Sequence, residues 1–168
     1  MSIQCNRVWK FGDHVDTDAI LPAKYLNLSL PEKLAIHCME GMDPAFSTKV
    51  GHGDVLVGGK NFGCGSSREQ APISIKAAGI SCIVAESFAR IFFRNCFTIG
   101  LPIAELPHAL ERIEEGDKIE IDFEMGILRN ITREQSYEIA IQPQFMREII
   151  AAGGLVHKIK KDRREKEK

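Results

Sequence analysis

A glycine-rich loop between a short apolar run and a helical pattern constrains the fold of this 168-residue chain more than any other feature. Residues 55–57 are β-branched or aliphatic and predict a buried strand, and the loop 58–65 contains four glycines. From Ser66 onwards the apolar residues follow helical spacing. Glycine lets a backbone approach a ligand closely, and the start of a helix presents unpaired N–H groups. The sequence therefore predicts an anion-binding site at this strand, loop and helix.

Three side chains at the end of this loop are suited to carboxylate chemistry. Ser66 and Ser67 supply hydroxyls and Arg68 a guanidinium, which places a nucleophile or base beside donors for an oxyanion. A plainer alternative is a capping box, in which Ser66 caps the helix and Glu69 returns the hydrogen bond. Pro72 lies too far along for a helix that begins at Ser66, so either the first turn is loose or the helix begins later.

Predicted strands and helices alternate along the chain. The strands are at 8–11, 55–57, 81–85 and 101–104, and the helices are at 31–42, from 66 onwards, at 88–97 and at 144–152. This order predicts an α/β fold with a mainly parallel central sheet and crossover helices. The loop then follows the carboxyl end of a strand, where such sheets bind ligands. Alternation at 119–123 between turn residues predicts a hairpin beside the sheet.

Length and charge narrow the class of protein. The chain is long enough for one domain with a core, which we place at 1–157, followed by a charged tail at 158–168. A net charge of −1 and the mixed signs of the tail argue against a nucleic-acid partner and favour a solvated or frayed end. There is no membrane-length apolar run and the start lacks signal-peptide features, so we expect a cytoplasmic protein.

Cysteines and aspartates do not predict a metal site in this chain. The five cysteines are widely spaced and form no Cys-x-x-Cys pair, so we expect free thiols, several of them in the core. Asp13, Asp16 and Asp18 lie close together but lack the spacing of a calcium loop. Caps or turns explain these aspartates better.

Three motifs occur in the order DTDAILP at 16–22, GCGSSREQ at 63–70 and SFARIF at 87–92. Together they resemble the aconitase superfamily, and more narrowly the small subunits of 3-isopropylmalate dehydratases. The resemblance implies a swivelling β/β/α domain that docks on a large iron–sulfur subunit to form a heterodimer. It implies a hydro-lyase of leucine biosynthesis, which isomerises 2-isopropylmalate to 3-isopropylmalate through isopropylmaleate. The large subunit would hold the [4Fe–4S] cluster, whose iron acts on the departing hydroxyl, and this chain would bind no cofactor.

The resemblance also implies roles for individual residues. Ser66 would be the general base, and Ser67 and Arg68 would hold a carboxylate of the dicarboxylate substrate. Asp18 matches an active-site aspartate, although an N-cap is an equal alternative from the sequence alone. Gly65 would offer its backbone N–H to the substrate.

A further segment is expected to select the substrate. The resemblance places the specificity loop at Tyr25, Leu26, Asn27, Leu28 and Ser29. Relatives that act on citrate-like substrates have an arginine near the last three positions, and this chain has none. Leu26 and Leu28 can instead face an alkyl group, which favours isopropylmalate. The alternatives are the small subunit of homoaconitase or of a dimethylmalate dehydratase, and a non-catalytic anion-binding module.

Overall fold

A computed structural model describes residues 1–166, in which the strands form two sheets of four. The parallel sheet has the spatial order β2 (Val8–Lys10), β3 (Val55–Gly58), β4 (Cys82–Ala85) and β5 (Ile103–Glu105). The antiparallel sheet has the order β1 (Ser2–Cys5), β6 (Ile119–Asp122), β7 (Ile127–Asn130) and β8 (Gln135–Glu138). The predicted α/β class, the parallel sheet and the hairpin, formed by β6 and β7, are confirmed.

Alternate side chains of the parallel strands pack into two separate cores. Leu56 and Ile83 belong to a core shared with the helices, whereas Val57 and Val84 belong to a core shared with the antiparallel sheet. Because successive side chains of a strand point to opposite faces, the parallel sheet lies between the helices and the second sheet. The central strands are therefore buried on both faces, which explains their continuous apolar sequences.

The helices connect and cover the parallel strands. They are α1 (Thr17–Ile20), α2 (Pro31–Ala35), α3 (Phe46–Lys49), α4 (Gln70–Ala77), α5 (Arg90–Ile99), α6 (Ala109–Arg112), α7 (Gln144–Ala151) and α8 (Leu155–Lys166), with a 3₁₀ turn at Ala23–Tyr25. Helix α4 links β3 to β4 and α5 links β4 to β5, as the crossover pattern predicts. Helix α4 also packs against α2 and α5.

The predicted helix at 31–42 is wrong beyond its first turns, because α2 ends at Ala35. Met39 takes a positive φ of 57°, and its N–H donates to the carbonyl of Ile20 at 2.7 Å. Gly41 then donates to the carbonyl of Ala19 at 3.1 Å. The backbone therefore leaves the helix to bind α1, a tertiary contact that helical spacing does not reveal.

Residues near the carboxyl terminus form a helix that the sequence did not predict. Helix α8 begins at Leu155, before the boundary that we placed between 157 and 158. Lys158 lies within it and pairs with Asp162 at 2.7 Å and with Glu148 of α7 at 3.4 Å. Residues 167 and 168 of the predicted tail lie outside the described residues. In the described part of the chain, no helix is both long and apolar enough to cross a bilayer.

Candidate active site

The glycine-rich loop after β3 is bound on one side by the segment that leads into α1. Gly63 donates its N–H to the carbonyl of Val15 at 2.7 Å, and Thr17 donates its N–H to the carbonyl of Cys64 at 2.8 Å. These hydrogen bonds accompany an isolated parallel bridge between Asp16 and Cys64. The first two sequence motifs are thus joined through the backbone.

On its other side the loop is bound by the segment that follows β4. Phe62 donates its N–H to the carbonyl of Ser87 at 2.9 Å, and Ala89 donates to the carbonyl of Phe62 at 2.9 Å. The bridge formed here, between Phe62 and Phe88, delays the start of α5 to Arg90, two residues later than predicted. All three motifs therefore meet at the carboxyl edge of the parallel sheet, where a ligand site was expected.

Two of the loop glycines have a positive φ and leave little space for a side chain. Gly63 has a φ of 78°, and a Cβ there would lie 2.1 Å from the ring of Phe92. Gly65 has a φ of 92°, and a Cβ there would lie 3.2 Å from Oγ1 of Thr17. A positive φ strains any other residue at both positions, and at Gly63 the ring of Phe92 also occupies the space of a Cβ.

Ser66 is not a helix cap. Helix α4 begins at Gln70, and its N-cap residue, Glu69, makes no side-chain capping hydrogen bond. The capping-box alternative is therefore wrong, and the alternative of a later helix start is confirmed. With this start Pro72 falls in the first turn, where the N–H that it lacks would have had no helical partner.

The loop offers backbone donors just before the helix. Within residues 1–166, the N–H groups of Gly65, Ser66 and Ser67 have no hydrogen-bond acceptor. All three residues are exposed. The expected anion-binding donors are therefore present, but they belong to the loop and not to the first turn of α4.

Arg68 and Asp18 form a bidentate ion pair. Nη1 and Nη2 of Arg68 donate to the two carboxylate oxygens of Asp18 at 2.5 and 3.1 Å, and Nη1 also donates to the carbonyl of Leu21 at 3.3 Å. The hydrogen bonds from Arg68 lower the pKa of Asp18. The N-cap of α1 is Asp16, which accepts from the N–H of Ala19 at 2.7 Å. The cap alternative for Asp18 is therefore wrong.

Sequence reasoning assigned no role to Thr17, which lies beside the candidate base. Its side chain is buried, and its Oγ1 lies 3.3 Å from Oγ of Ser66. The one sequence signal was its position between Asp16 and Asp18 in the first motif.

The predicted specificity loop, residues 25–29, follows α1 after four further residues. Tyr25 donates its hydroxyl to Oε1 of Glu40 at 2.7 Å, and its ring stacks on His37 with centroids 3.5 Å apart. His37 Nδ1 lies 2.7 Å from the other oxygen of Glu40. We call Tyr25, His37 and Glu40 the loop clasp. The clasp connects the start of the specificity loop to the segment after α2.

The other loop residues alternate in exposure. Leu26 and Leu28 are half-buried and pack against the core that the parallel sheet shares with the helices, whereas Asn27 and Ser29 are exposed. Both leucines thus bury part of their surface within this chain. Leu30, the next residue, leaves 45% of its surface exposed.

The profile of the aconitase C-terminal domain family matches residues 14–108, which include all three motifs. This chain belongs to the aconitase C-terminal domain family. It is 56% identical over 154 residues to the 3-isopropylmalate dehydratase small subunit of Heliobacterium modesticaldum, covering 92% of this chain and 93% of that protein. It is 57% identical over 152 residues to the 2,3-dimethylmalate dehydratase small subunit of Eubacterium barkeri, and the match covers 90% of this chain and 93% of that protein.

A solved structure of this aconitase family has the same fold. The crystal structure of 3-isopropylmalate dehydratase (leuD) from Methanocaldococcus jannaschii superposes with a TM-score of 0.92 and 46% identity, covering 99% of this chain and 98% of that chain. The resemblance drawn from the three motifs is confirmed.

The thiols of this aconitase-family chain do not suit an iron–sulfur cluster. All five cysteines are free, and Cys5, Cys38, Cys82 and Cys96 are buried, as expected for core thiols. Burial raises the pKa of each of these four. In the described residues, no three His, Cys, Asp or Glu side chains lie together as a metal site. A cluster needs several thiolates at one place, and residues 1–166 contain no such group.

Asp13 and the two aspartates of the first motif bind the backbone and Arg68. Asp13 accepts a hydrogen bond from the N–H of Lys60 at 2.7 Å, and Asp16 caps α1. The prediction that these aspartates form turns or caps is confirmed for Asp16, whereas the Asp13 side chain makes a contact with a residue distant in sequence.

Proposed function

We propose that this chain is the small subunit of a two-subunit 3-isopropylmalate dehydratase, a hydro-lyase of leucine biosynthesis. The observation that supports this most is the meeting of Ser66 with the Arg68–Asp18 pair at the carboxyl edge of the parallel sheet. The names of its relatives agree with this activity. Isomerisation of 2-isopropylmalate to 3-isopropylmalate would proceed through isopropylmaleate.

Ser66 is the general base in this proposal. It takes the proton from the substrate carbon next to a carboxylate, and it returns that proton when water adds back. A deprotonated serine is costly, so its charge must be met by oriented donors. The unpartnered N–H groups of Gly65, Ser66 and Ser67 are such donors and are already fixed by the loop.

Arg68 holds a substrate carboxylate together with Ser67. Asp18 binds the outer end of the guanidinium by accepting one hydrogen bond from Nη1 and one from Nη2. A guanidinium has five N–H donors, and the Nε–H and the second Nη2–H form a side fork. Among residues 1–166 no acceptor binds Nε. The fork therefore suits a bidentate contact with the substrate.

The cluster that the family implies would belong to the large subunit. When bound there, it supplies a Lewis acid for the departing hydroxyl. This chain contributes the proton-accepting half of the site, which agrees with the exposure of Gly65, Ser66 and Ser67 in the isolated chain. We infer that residues 1–157 act as a swivelling β/β/α domain on that subunit, forming a heterodimer in the cytoplasm.

Lys24 is the cation nearest in sequence to the specificity loop, and it is already paired. Its Nζ lies 3.1 Å from Oε1 of Glu40 and 4.7 Å from the centroid of the Tyr25 ring. A third substrate carboxylate would therefore find no unpaired cation at residues 24–29. This favours an alkylmalate over a citrate-like substrate.

A 2,3-dimethylmalate dehydratase subunit is the second candidate, because the identity to such a subunit is as high as to the 3-isopropylmalate dehydratases. Both substrates have alkyl groups and two carboxylates. The arrangement of Ser66 and Arg68 serves either reaction. The residues that surround the alkyl group of the substrate would decide between the two reactions.

Reconstitution tests the proposed function. Turnover of 2-isopropylmalate, 2,3-dimethylmalate, citramalate and homocitrate is measured under anaerobic conditions for this chain, for the large iron–sulfur subunit and for their mixture. We expect turnover of 2-isopropylmalate in the mixture and in neither part alone. Faster turnover of 2,3-dimethylmalate would select the second candidate. Binding of a small dicarboxylate without turnover in any mixture would support a non-catalytic anion-binding module.

One substitution tests the substrate inference separately. Asn27→Arg places a cation on the exposed side of the specificity loop, and it should raise the kcat/KM for homocitrate relative to that for 2-isopropylmalate. Thr48→Arg adds the same charge at an exposed position outside the loop and serves as the control. An unchanged ratio in Asn27→Arg would show that this loop does not contact the variable substituent.

A further inference from the structure

The buried hydroxyl of Thr17 has one partner in the described chain, and that partner is the proposed base. The residue is 1% exposed, and among residues 1–166 its Oγ1 makes a hydrogen bond only with Oγ of Ser66, at 3.3 Å. Buried hydroxyls normally find a hydrogen-bond partner. A buried hydroxyl whose one hydrogen-bond partner in the described chain is Ser66 needs an explanation.

The position of this hydroxyl is fixed by the surrounding backbone. Thr17 donates its N–H to the carbonyl of Cys64, and it is the first residue of α1, which Asp16 caps. The missing Cβ of Gly65 leaves the space that Oγ1 approaches. A β-branched side chain also has few rotamers. Oγ1 is therefore held against the Ser66 loop and is not free to turn to solvent.

We propose that Thr17 is a positioning residue that donates its hydroxyl proton to Oγ of Ser66 throughout the reaction. This inference rests on the proposed function. Ser66 accepts the substrate proton during dehydration and returns it during rehydration, while Thr17 keeps its own proton in both states. A hydrogen bond from Thr17 directs the remaining lone pairs of Ser66 Oγ away from α1 and towards the exposed side of the loop.

The same hydrogen bond favours the deprotonated form of Ser66. Hydrogen bonds to an ionised acceptor are roughly twice as strong as those between neutral groups. The distance of 3.3 Å is longer than the usual spacing of about 2.7–2.8 Å for two hydroxyls. Hydrogen bonds at catalytic groups often shorten once the substrate is bound.

Kinetics of the assembled enzyme test the proposal. Thr17→Val removes the hydroxyl and keeps the branched shape, and Thr17→Ser keeps the hydroxyl. We expect Thr17→Val to lower kcat by about 10- to 100-fold with KM nearly unchanged, as for the loss of a hydrogen bond to a charged group. The limb of the pH profile that reports the base should move to higher pH. Thr17→Ser should restore both kcat and the pH profile.

Two controls separate positioning from packing. Ser74→Ala removes another buried hydroxyl, which donates to the carbonyl of Ala71 at 2.7 Å, and should leave kcat and the pH profile unchanged. In a Ser66→Ala background, Thr17→Val should cause no further loss of kcat, because Thr17 acts through Ser66. Thr17→Ala provides a second variant without the hydroxyl, and thermal unfolding and co-elution with the large subunit verify folding and docking.

Wild-type kcat and pH profile in Thr17→Val would overturn the proposal. So would an equal loss in Thr17→Val and Thr17→Ser, or an additive loss in the Ser66→Ala background. A wild-type mixture that turns over none of the substrates would instead overturn the proposed function itself, and the role of Thr17 with it.

Discussion

At the scale of single residues, the guanidinium of Arg68 binds Asp18 and, in the proposed function, a substrate carboxylate as well. Asp18 holds its end through two hydrogen bonds, and the Arg68 side chain is only 15% exposed. This pair fixes the plane of the guanidinium before any substrate arrives. A fixed plane reduces the entropy that is lost when a substrate carboxylate binds. The chemistry of this position therefore needs a planar fork and not merely a positive charge.

Arg68→Lys is predicted to lower kcat/KM by about 10- to 100-fold, because an ammonium is a point charge that cannot serve both carboxylates in one plane. Steady-state kinetics of the assembled enzyme provide the measurement. Arg163→Lys, at an exposed position on α8, is the matched control and should be neutral. Unchanged kcat and KM in Arg68→Lys would remove Arg68 from substrate binding.

At the scale of elements, the loop clasp of Tyr25, His37 and Glu40 joins the specificity loop to the segment after α2. Glu40 accepts hydrogen bonds from Tyr25 and His37 and pairs with Lys24. The hydrogen bonds from Tyr25 and His37 lower the pKa of Glu40 to about 2. The clasp is thus formed with Glu40 ionised over the range in which an enzyme works.

The clasp predicts a pH dependence of stability. The pKa of Glu40 is lower in the folded chain than its ordinary value of 4.5, so its contribution is present above pH 4.5 and is lost as the pH falls towards 2. We expect Glu40→Gln to lower Tm by about 2–4 °C near pH 6, and we expect the difference from the wild type to shrink below pH 4.5. Thermal unfolding between pH 3.5 and 7 measures it. A difference that stays constant over this range would contradict the prediction.

We expect alanine to destabilise the fold more at Gly63, in the glycine-rich loop, than at Gly116, outside it. Gly116 has a φ of 84°, and a Cβ at this position would have no atom within 4 Å. Gly116→Ala therefore tests backbone strain alone and should lower the free energy of unfolding by about 1–2 kcal/mol. Gly63→Ala adds a collision with the buried ring of Phe92 and should cost about 1–3 kcal/mol more. Denaturant unfolding of both variants provides the comparison. Equal losses would show that the loop can move away from Phe92.

Elements set by local pattern were predictable from the sequence, and those set by tertiary contact were not. Residues 55–57 and 81–85 are apolar runs, and each contains a strand. The helix predicted at 31–42 failed because Met39 binds the carbonyl of Ile20, which is distant in sequence. Strand β1 is four residues long and pairs with β6, more than a hundred residues away, so its own pattern is weak. Helix α8 was missed because its charged composition also fits a solvated tail.

The candidate site shows the same division. Ser66, Arg68 and Asp18 were predicted as site residues from motifs, and the fold brings them together. The role that we propose for Thr17 rests on geometry alone, and its burial beside Ser66 required the fold to be known. The capping box failed because α4 begins at Gln70, a late start for which Pro72 was the only sequence signal.

At the scale of the whole molecule, the proposed function makes this chain one half of an active site, carried by the edge of the parallel sheet. The parallel sheet lies between helices and an antiparallel sheet, and the loops at its carboxyl edge join all three motifs. The described residues bring together a serine hydroxyl, backbone donors and a guanidinium, and they contain no group of thiolates at one place. In the proposed function a second subunit completes the chemistry, and the central contribution of this chain is the proton acceptor, Ser66.

The most direct test of that contribution is the kcat of the assembled enzyme with Ser66→Ala. We predict that the variant co-elutes with the large subunit as the wild type does, binds 2-isopropylmalate with little change in KM, and turns it over about 10²- to 10⁴-fold more slowly. Near-wild-type kcat in a variant that docks normally would show that another group accepts the proton.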